Sequence, residues 1–133
     1  GTADLIWTNE ADPLESGLEL MAQPPGKTMQ HLLALSGGER ALTAIALIFA
    51  ILAIRPSPFC VLDEVDAALD EQNLGRFASL LVEFSAKTQF VVITHRQATM
   101  EVADTLYGVT MDRSAISNLI TLRLASLEQE KAI

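Results

Sequence analysis

The sequence predicts an α/β fold, mainly a parallel sheet flanked by helices, with an antiparallel hairpin at its N-terminal end. Three observations predict it. Two short apolar runs, residues 59–62 and 88–94, are long enough for strands buried in a parallel sheet. Apolar residues at helical spacing fill 37–54 and 71–86, so helix and strand alternate along the chain. Residues 1–9 and 17–22 instead alternate apolar and polar, as half-buried paired strands do. The 133 residues, 50% of them hydrophobic, suffice for one globular domain or part of one.

Taken in order, Ala3, Leu5 and Trp7 mark the first strand, and 9–13 reads as a turn. Gly-Leu-Glu-Leu-Met-Ala at 17–22 returns as its hairpin partner, and Gln-Pro-Pro-Gly-Lys at 23–27 breaks it. Lys27 reads as a surface lysine rather than a phosphate ligand, and His31 as a loop or packing residue.

Ser36 and Glu39 have the spacing of a capping box, in which each side chain satisfies an orphan amide at a helix start. Such a cap is worth roughly 1 kcal/mol. Gly37 and Gly38 between them weaken a helix, so a cap alone does not explain them. Glycine suits a close approach to the backbone, and a helix start with bare amides suits an anion. On these residues alone, helix cap and anion site both stand. The helix over 37–54 is apolar almost all round, with Thr43 the polar residue in its middle, which predicts burial on several sides. The apolar run 41–54 is too short to span a bilayer.

The strand 59–62 ends abruptly in Asp63 and Glu64. Open α/β sheets bind ligands at that end of their strands. One carboxylate there could hold Mg²⁺, and its neighbour could position or deprotonate a water. Asp66 and Asp70 follow, interleaved with Val65, Ala67, Ala68 and Leu69, a pattern that a merely solvated turn does not need. Asp70 is also a plausible N-cap for the amphipathic helix 71–86, where Leu74, Phe77, Leu80, Leu81 and Phe84 share a face. After the strand 88–94, His95 falls at the same sheet end as Asp63 and Glu64 if the two strands are parallel neighbours. Residues 97–103 read as a short helix, 105–111 and 118–124 as strands joined through Asp112, Arg113 and Ser114, and 127–133 as a frayed tail.

Composition narrows the classes. Cys60 stands alone in an apolar run and reads as a buried small hydrophobe, with no disulfide framework. No signal peptide is visible, and the simple reading is a cytoplasmic protein. A net charge of −8 gives no support for direct DNA binding by this segment alone.

Leu35-Ser36-Gly37-Gly38-Glu39, then an apolar strand ending Asp63-Glu64, then Ala68-Leu69-Asp70, resembles the C-terminal half of an ABC-type (P-loop NTPase) ATPase head. Signature motif, Walker B strand and D-loop occur there in that order. Residues 58–70, with Val65-Asp66 after the Asp-Glu pair and Glu39 in the signature, resemble more closely the heads of SMC (structural maintenance of chromosomes) proteins, bacterial ones in particular. ABC transporters usually carry Leu-Ser-Gly-Gly-Gln and Asp-Glu-Pro-Thr instead. In SMC heads a Pro-Pro-Gly-Lys segment like 24–27 leads into the signature motif. The resemblance runs from about residue 17 to 124.

That resemblance implies that 1–125 is the C-terminal lobe of the head and 126–133 a flexible tail. No Gly-x-x-x-x-Gly-Lys-[Ser/Thr] and no long heptad run occur in these residues, and in the family the Walker A loop lies in the N-terminal lobe, across the coiled coil and hinge. Asp63 would be the Mg²⁺ ligand, Glu64 the base that activates water, and His95 the switch histidine on the γ-phosphate of ATP. Leu35, Ser36, Gly37, Gly38 and Glu39 would face ATP bound by a partner head. Asp66, Ala68, Leu69 and Asp70 would form the D-loop, with Asp70 communicating across the dimer. Implied partners are the N-terminal lobe, a second SMC head, a kleisin subunit, and DNA through the full-length protein at the nucleoid, with no membrane. Two other readings stand beside this one: a kleisin-binding module without turnover, and another ABC-type ATPase such as a coiled-coil DNA-repair protein. The run from Val65 to Asp70 disfavours the last.

Overall fold

A computed structural model describes residues 1–111 and 116–124. The expected link through 112–114 and the expected tail at 126–133 lie outside the described residues. The elements are β1 (Thr2–Trp7), β2 (Leu18–Gln23), β3 (Gln30–His31), a 3₁₀ turn (Leu32–Ala34), α1 (Gly37–Ile54), β4 (Phe59–Asp63), α2 (Glu71–Ser85), β5 (Gln89–Ile93), α3 (Gln97–Glu101), β6 (Thr105–Met111) and β7 (Ser117–Arg123).

The α/β class and the N-terminal hairpin are as the sequence predicts. β1 and β2 pair antiparallel from Thr2↔Gln23 to Trp7↔Leu18. β3 extends that sheet by two residues, which is too short to leave a periodic trace in the sequence. His31 therefore sits on a strand rather than in a loop, with Nδ1 3.3 Å from Glu19 Oε2. Parallel pairing is confined to β4 and β5, in register from Phe59↔Gln89 to Asp63↔Ile93. β6 and β7 form a separate antiparallel hairpin. Antiparallel ladders thus outnumber the parallel one among the described residues, because the parallel sheet here comprises two strands.

The core lies where α1, α2 and the β4–β5 pair meet. Ile45, Phe49 and Leu52 of α1 pack with Leu62, Leu69, Leu74, Phe77 and Leu81. Phe49 anchors it, with edge-to-face rings at 6.2 Å from Phe77 and 5.0 Å from Phe84. Cys60, Phe90 and Val92 close the sheet side; Cys60 is half-buried rather than buried.

α1 departs from expectation. It is buried on one side, and Ile51 and Ile54 are exposed. Its apolar pattern suits a helix covered on several sides, and the described residues cover one. The helix also runs to 18 residues, longer than the apolar run 41–54, so by length and composition alone it could cross a bilayer. Ile45, Phe49 and Leu52 are instead engaged in protein contacts. Thr43 turns its hydroxyl back onto the Glu39 carbonyl at 2.7 Å, which hides the one mid-helix polar group. β4 and β5 show the same one-sidedness. Leu62 and Val92 face the core, while Phe59, Val61, Val91 and Ile93 are exposed on the other face.

Phe77 is 1% exposed and Val61 55%. Phe77→Ala should therefore cost about 3–5 kcal/mol in urea unfolding of this chain, and Val61→Ala well under half of that. Equal losses would mean that the outer sheet face is packed in solution.

Candidate functional site

The helix start at 36–39 forms as the spacing predicts, and more polar groups converge on it than the sequence suggested. Ser36 is the N-cap of α1: its Oγ accepts from the Glu39 amide at 3.4 Å, and Glu39 Oε2 accepts from the Ser36 amide at 3.1 Å and from its hydroxyl at 2.7 Å. Lys27 joins them, with Nζ 2.8 Å from Glu39 Oε1. A tight turn delivers it. The Lys27 amide donates to the Pro24 carbonyl at 3.1 Å, and Gly26 takes φ 78°, open to glycine at no steric cost. Lys27 is thus a surface lysine, as expected, but one tied to the start of α1. Its hydrogen bond, followed by those of Ser36, holds the Glu39 carboxyl down at about 2.

The two glycines do different things. A Cβ on Gly37 would meet nothing within 4 Å, so the first turn of α1 is open to an approaching molecule. A Cβ on Gly38 would lie 3.1 Å from the Ala68 carbonyl oxygen. Its bareness serves a close contact within the chain, between the start of α1 and the acidic segment after β4. Leu35, by contrast, is buried and anchors the segment from below.

At the end of β4, Asp63 and Glu64 are both exposed. Glu64 adopts φ 49°, a left-handed conformation uncommon for a residue with a side chain, and its amide donates to the Ile93 carbonyl at 2.9 Å. That bond binds the exit of β4 to the exit of β5, and His95 lies two residues beyond Ile93, also exposed. Among the described residues no side-chain hydrogen bond or ion pair engages Asp63, Glu64 or His95. Three polar groups stand at one sheet end with their hydrogen-bonding capacity unused, where a parallel pair presents ligands.

The remaining D-loop candidates divide. Asp66 is fully buried; its Oδ2 accepts from Thr94 Oγ1 at 2.7 Å and Thr99 Oγ1 at 2.6 Å, while Oδ1 has no partner among the described residues. Leu69 is part of the core. Ala68 is exposed, with its carbonyl against Gly38. Asp70 caps α2, accepting from the Asn73 amide at 2.8 Å. Arg96, half-buried, reaches back to the Leu69 carbonyl at 3.3 Å and to Glu71 at 3.1 Å. Thr94, Arg96 and Thr99 were not singled out from the sequence. A hydroxyl directly before His95 and a threonine inside the short helix α3 were the available hints.

The residues fit the nucleotide and metal that the sequence resemblance implies. Among the described residues no three His, Cys, Asp or Glu side chains converge as an all-protein metal cage would need. Mg²⁺ does not need one, since it commonly takes one or two carboxylates and completes its shell with water and phosphate oxygens. Asp63 can supply the one carboxylate, and the open Gly37 turn can meet a phosphate.

The chain is similar to known proteins in sequence and fold. The family described as the RecF/RecN/SMC N terminal domain matches residues 19–118. The chromosome partition protein Smc of Bacillus subtilis (strain 168) is 60% identical over 129 residues, 97% of this chain and 11% of that protein. The chain therefore spans about a tenth of that curated relative's length. The Smc head domain with an extended coiled coil bound to the C-terminal domain of ScpA, derived from Pyrococcus furiosus, superposes with a TM-score of 0.87 at 44% identity, over 98% of this chain and 32% of that one. A structure from work on ATP-driven dimerization and DNA stimulated activation of SMC ATPases gives a TM-score of 0.81 at 42% identity, over 100% of this chain and 83% of that one.

Lys27→Ala should raise the Glu39 carboxyl from about 2 toward its ordinary 4.5, read by carboxyl-carbon NMR titration. Because the folded value lies below the ordinary one, the contribution of this cap to stability is present above pH 4.5 and lost as pH falls through about 2. In the variant that loss should move up toward 4.5. An unmoved titration would remove Lys27 from the cluster. Gly38→Ala should be poorly tolerated, since its methyl meets a backbone carbonyl, whereas Gly37→Ala should leave the fold unchanged by circular dichroism and melting.

Proposed function

This chain belongs to the RecF/RecN/SMC N terminal domain family, and on that premise we propose that it is the C-terminal lobe of the ATPase head of a chromosome-partition protein. The observation that carries the reading is the grouping of Asp63, Glu64 and His95 at one sheet end, with the open helix start at Gly37 tied to the same acidic segment through Gly38 and Ala68. The order of the motifs, and the lack of a phosphate-binding Gly-x-x-x-x-Gly-Lys loop within these residues, support the C-terminal lobe.

ATP and Mg²⁺ supply a transferable phosphoryl group and a counter-charge for its oxygens. Asp63 holds the ion. Glu64 orients the attacking water and takes its proton. His95, at the exit of the neighbouring strand, holds the terminal phosphate. Leu35, Ser36, Gly37, Gly38 and Glu39 act in trans: the amides and positive end of α1 meet ATP bound by a second copy of the head. The Ser36 hydroxyl, which donates to Glu39 here, turns to the phosphate there. Asp70 and Ala68 line the D-loop between the two.

Partners follow from the uncovered surfaces. The outer face of β4–β5, with Phe59, Val61, Val91 and Ile93, and the outer side of α1 receive the lobe that carries the phosphate loop. The head from Pyrococcus furiosus is bound to ScpA, and we carry a kleisin partner over to this chain. DNA is contacted elsewhere in the full-length protein, at the nucleoid in the cytoplasm. A kleisin-binding module without turnover is the second reading, favoured by the exposed apolar residues of the β6–β7 hairpin, Tyr107, Val109 and Leu119 among them.

Hydrolysis by this chain mixed with the separately expressed N-terminal lobe tests the choice. Turnover should occur in the mixture and not in this chain alone. Glu64→Gln should lower it by about 10²–10⁴-fold while ATP still binds. Associated lobes without turnover would favour the binding module. Ser36→Arg should abolish ATP-dependent dimerisation of heads, measured by light scattering, and spare nucleotide binding by the same head. Dimerisation that survives would remove 35–39 from the trans contact.

A further inference from the structure

We propose that Asp66 is a positioning residue: from the interior it sets the segment that carries His95 against the segment that carries Glu64. The inference rests on the ATPase reading above and adds a role to it. Asp66 is fully buried, and one of its oxygens takes the hydroxyls of both Thr94 and Thr99. Thr94 Oγ1 in turn accepts from the Arg96 amide at 2.9 Å. The Arg96 guanidinium then returns to the Leu69 carbonyl and to Glu71. Both chain neighbours of the exposed His95 are therefore fixed to one stretch, 66–71, and His95 itself is held by its backbone alone.

Burying a carboxyl group is costly, and an apolar side chain of similar size would avoid that cost. Among the described residues nothing pairs with Asp66 Oδ1. What the carboxyl group provides, and an apolar side chain cannot, is a fixed distance between two loops that each carry an active group. The same stretch touches the start of α1, where the Ala68 carbonyl meets Gly38. A displacement of α1 by a phosphate in trans is thus passed to Ala68, from there to Asp66 and Leu69, and from these to Thr94 and Arg96 on either side of His95.

The test is Thr94→Val, which keeps the side-chain shape and removes the hydroxyl, with Thr94→Ser as the conservative variant. In the full chain, Thr94→Val should speed hydrogen exchange at the Met100 amide, whose own acceptor, the Arg96 carbonyl, the substitution leaves in place, about tenfold or more relative to the amides of β4 and β5, and Thr94→Ser should restore it. In the reconstituted head, Thr94→Val should lower kcat by about 10- to 100-fold with KM for ATP within about twofold, as misplaced groups do, and Thr94→Ser should recover most of it. Unchanged exchange at Met100 would overturn the pinning. Unchanged kcat, in a head that Glu64→Gln inactivates, would overturn the positioning role while leaving the ATPase reading intact. A wild-type head with no turnover would overturn the ATPase reading and with it the catalytic consequence, and the exchange comparison would still decide whether Asp66 holds the loop.

Discussion

A carboxyl group buried to zero exposure is an expensive component. Taking it out of water costs free energy, and the two hydroxyls on Oδ2 return about 0.5–1.5 kcal/mol each. Asp66 therefore contributes little net stability, and its value lies in where it holds the chain. It ties the turn after β4 to the turn after β5 and to α3. Leu62 and Leu74 enter the core on either side of the acidic stretch, and Leu69 from within it. The chemical groups Asp63, Glu64 and His95 stand outside this knot, exposed, and their separation depends on it.

The second close constraint is the approach of Gly38 to the Ala68 carbonyl. It places the open end of α1 and the acidic stretch in a single mechanical unit, which Leu42, Val65 and Leu69 of the shared apolar cluster reinforce. Glu39 and Lys27 finish that end electrostatically: the cation keeps the carboxylate charged, and the carboxylate keeps the Ser36 amide and hydroxyl occupied. Salt screens such an exposed pair, so this part of the unit is softer than the buried part.

Much of this was legible in the sequence. The bounds of α1, β6 and the start of α2 coincide with the periodicity, because cap residues and apolar spacing are local properties. The grouping of Asp63, Glu64 and His95 at one end was legible because parallel strands joined through a helix share their direction. The inward turn of Asp66 was not, since an acidic residue among Val65, Ala67 and Ala68 reads as surface charge until Thr94 and Thr99 are brought to it in space. Burial of α1 was overread. Its apolar composition does not say which of its sides is covered, and the described residues cover one. β3 escaped because two residues carry no period.

The left-handed backbone of Glu64 has an evolutionary side. At φ 49° a residue with a side chain bears roughly 1–2 kcal/mol that glycine would largely escape. Selection for a sturdier chain and selection for chemistry therefore pull this codon in opposite directions. A library of variants ranked by melting temperature alone would enrich glycine at position 64. Its winners would be better-folded proteins that had lost the carboxylate at the strand's end.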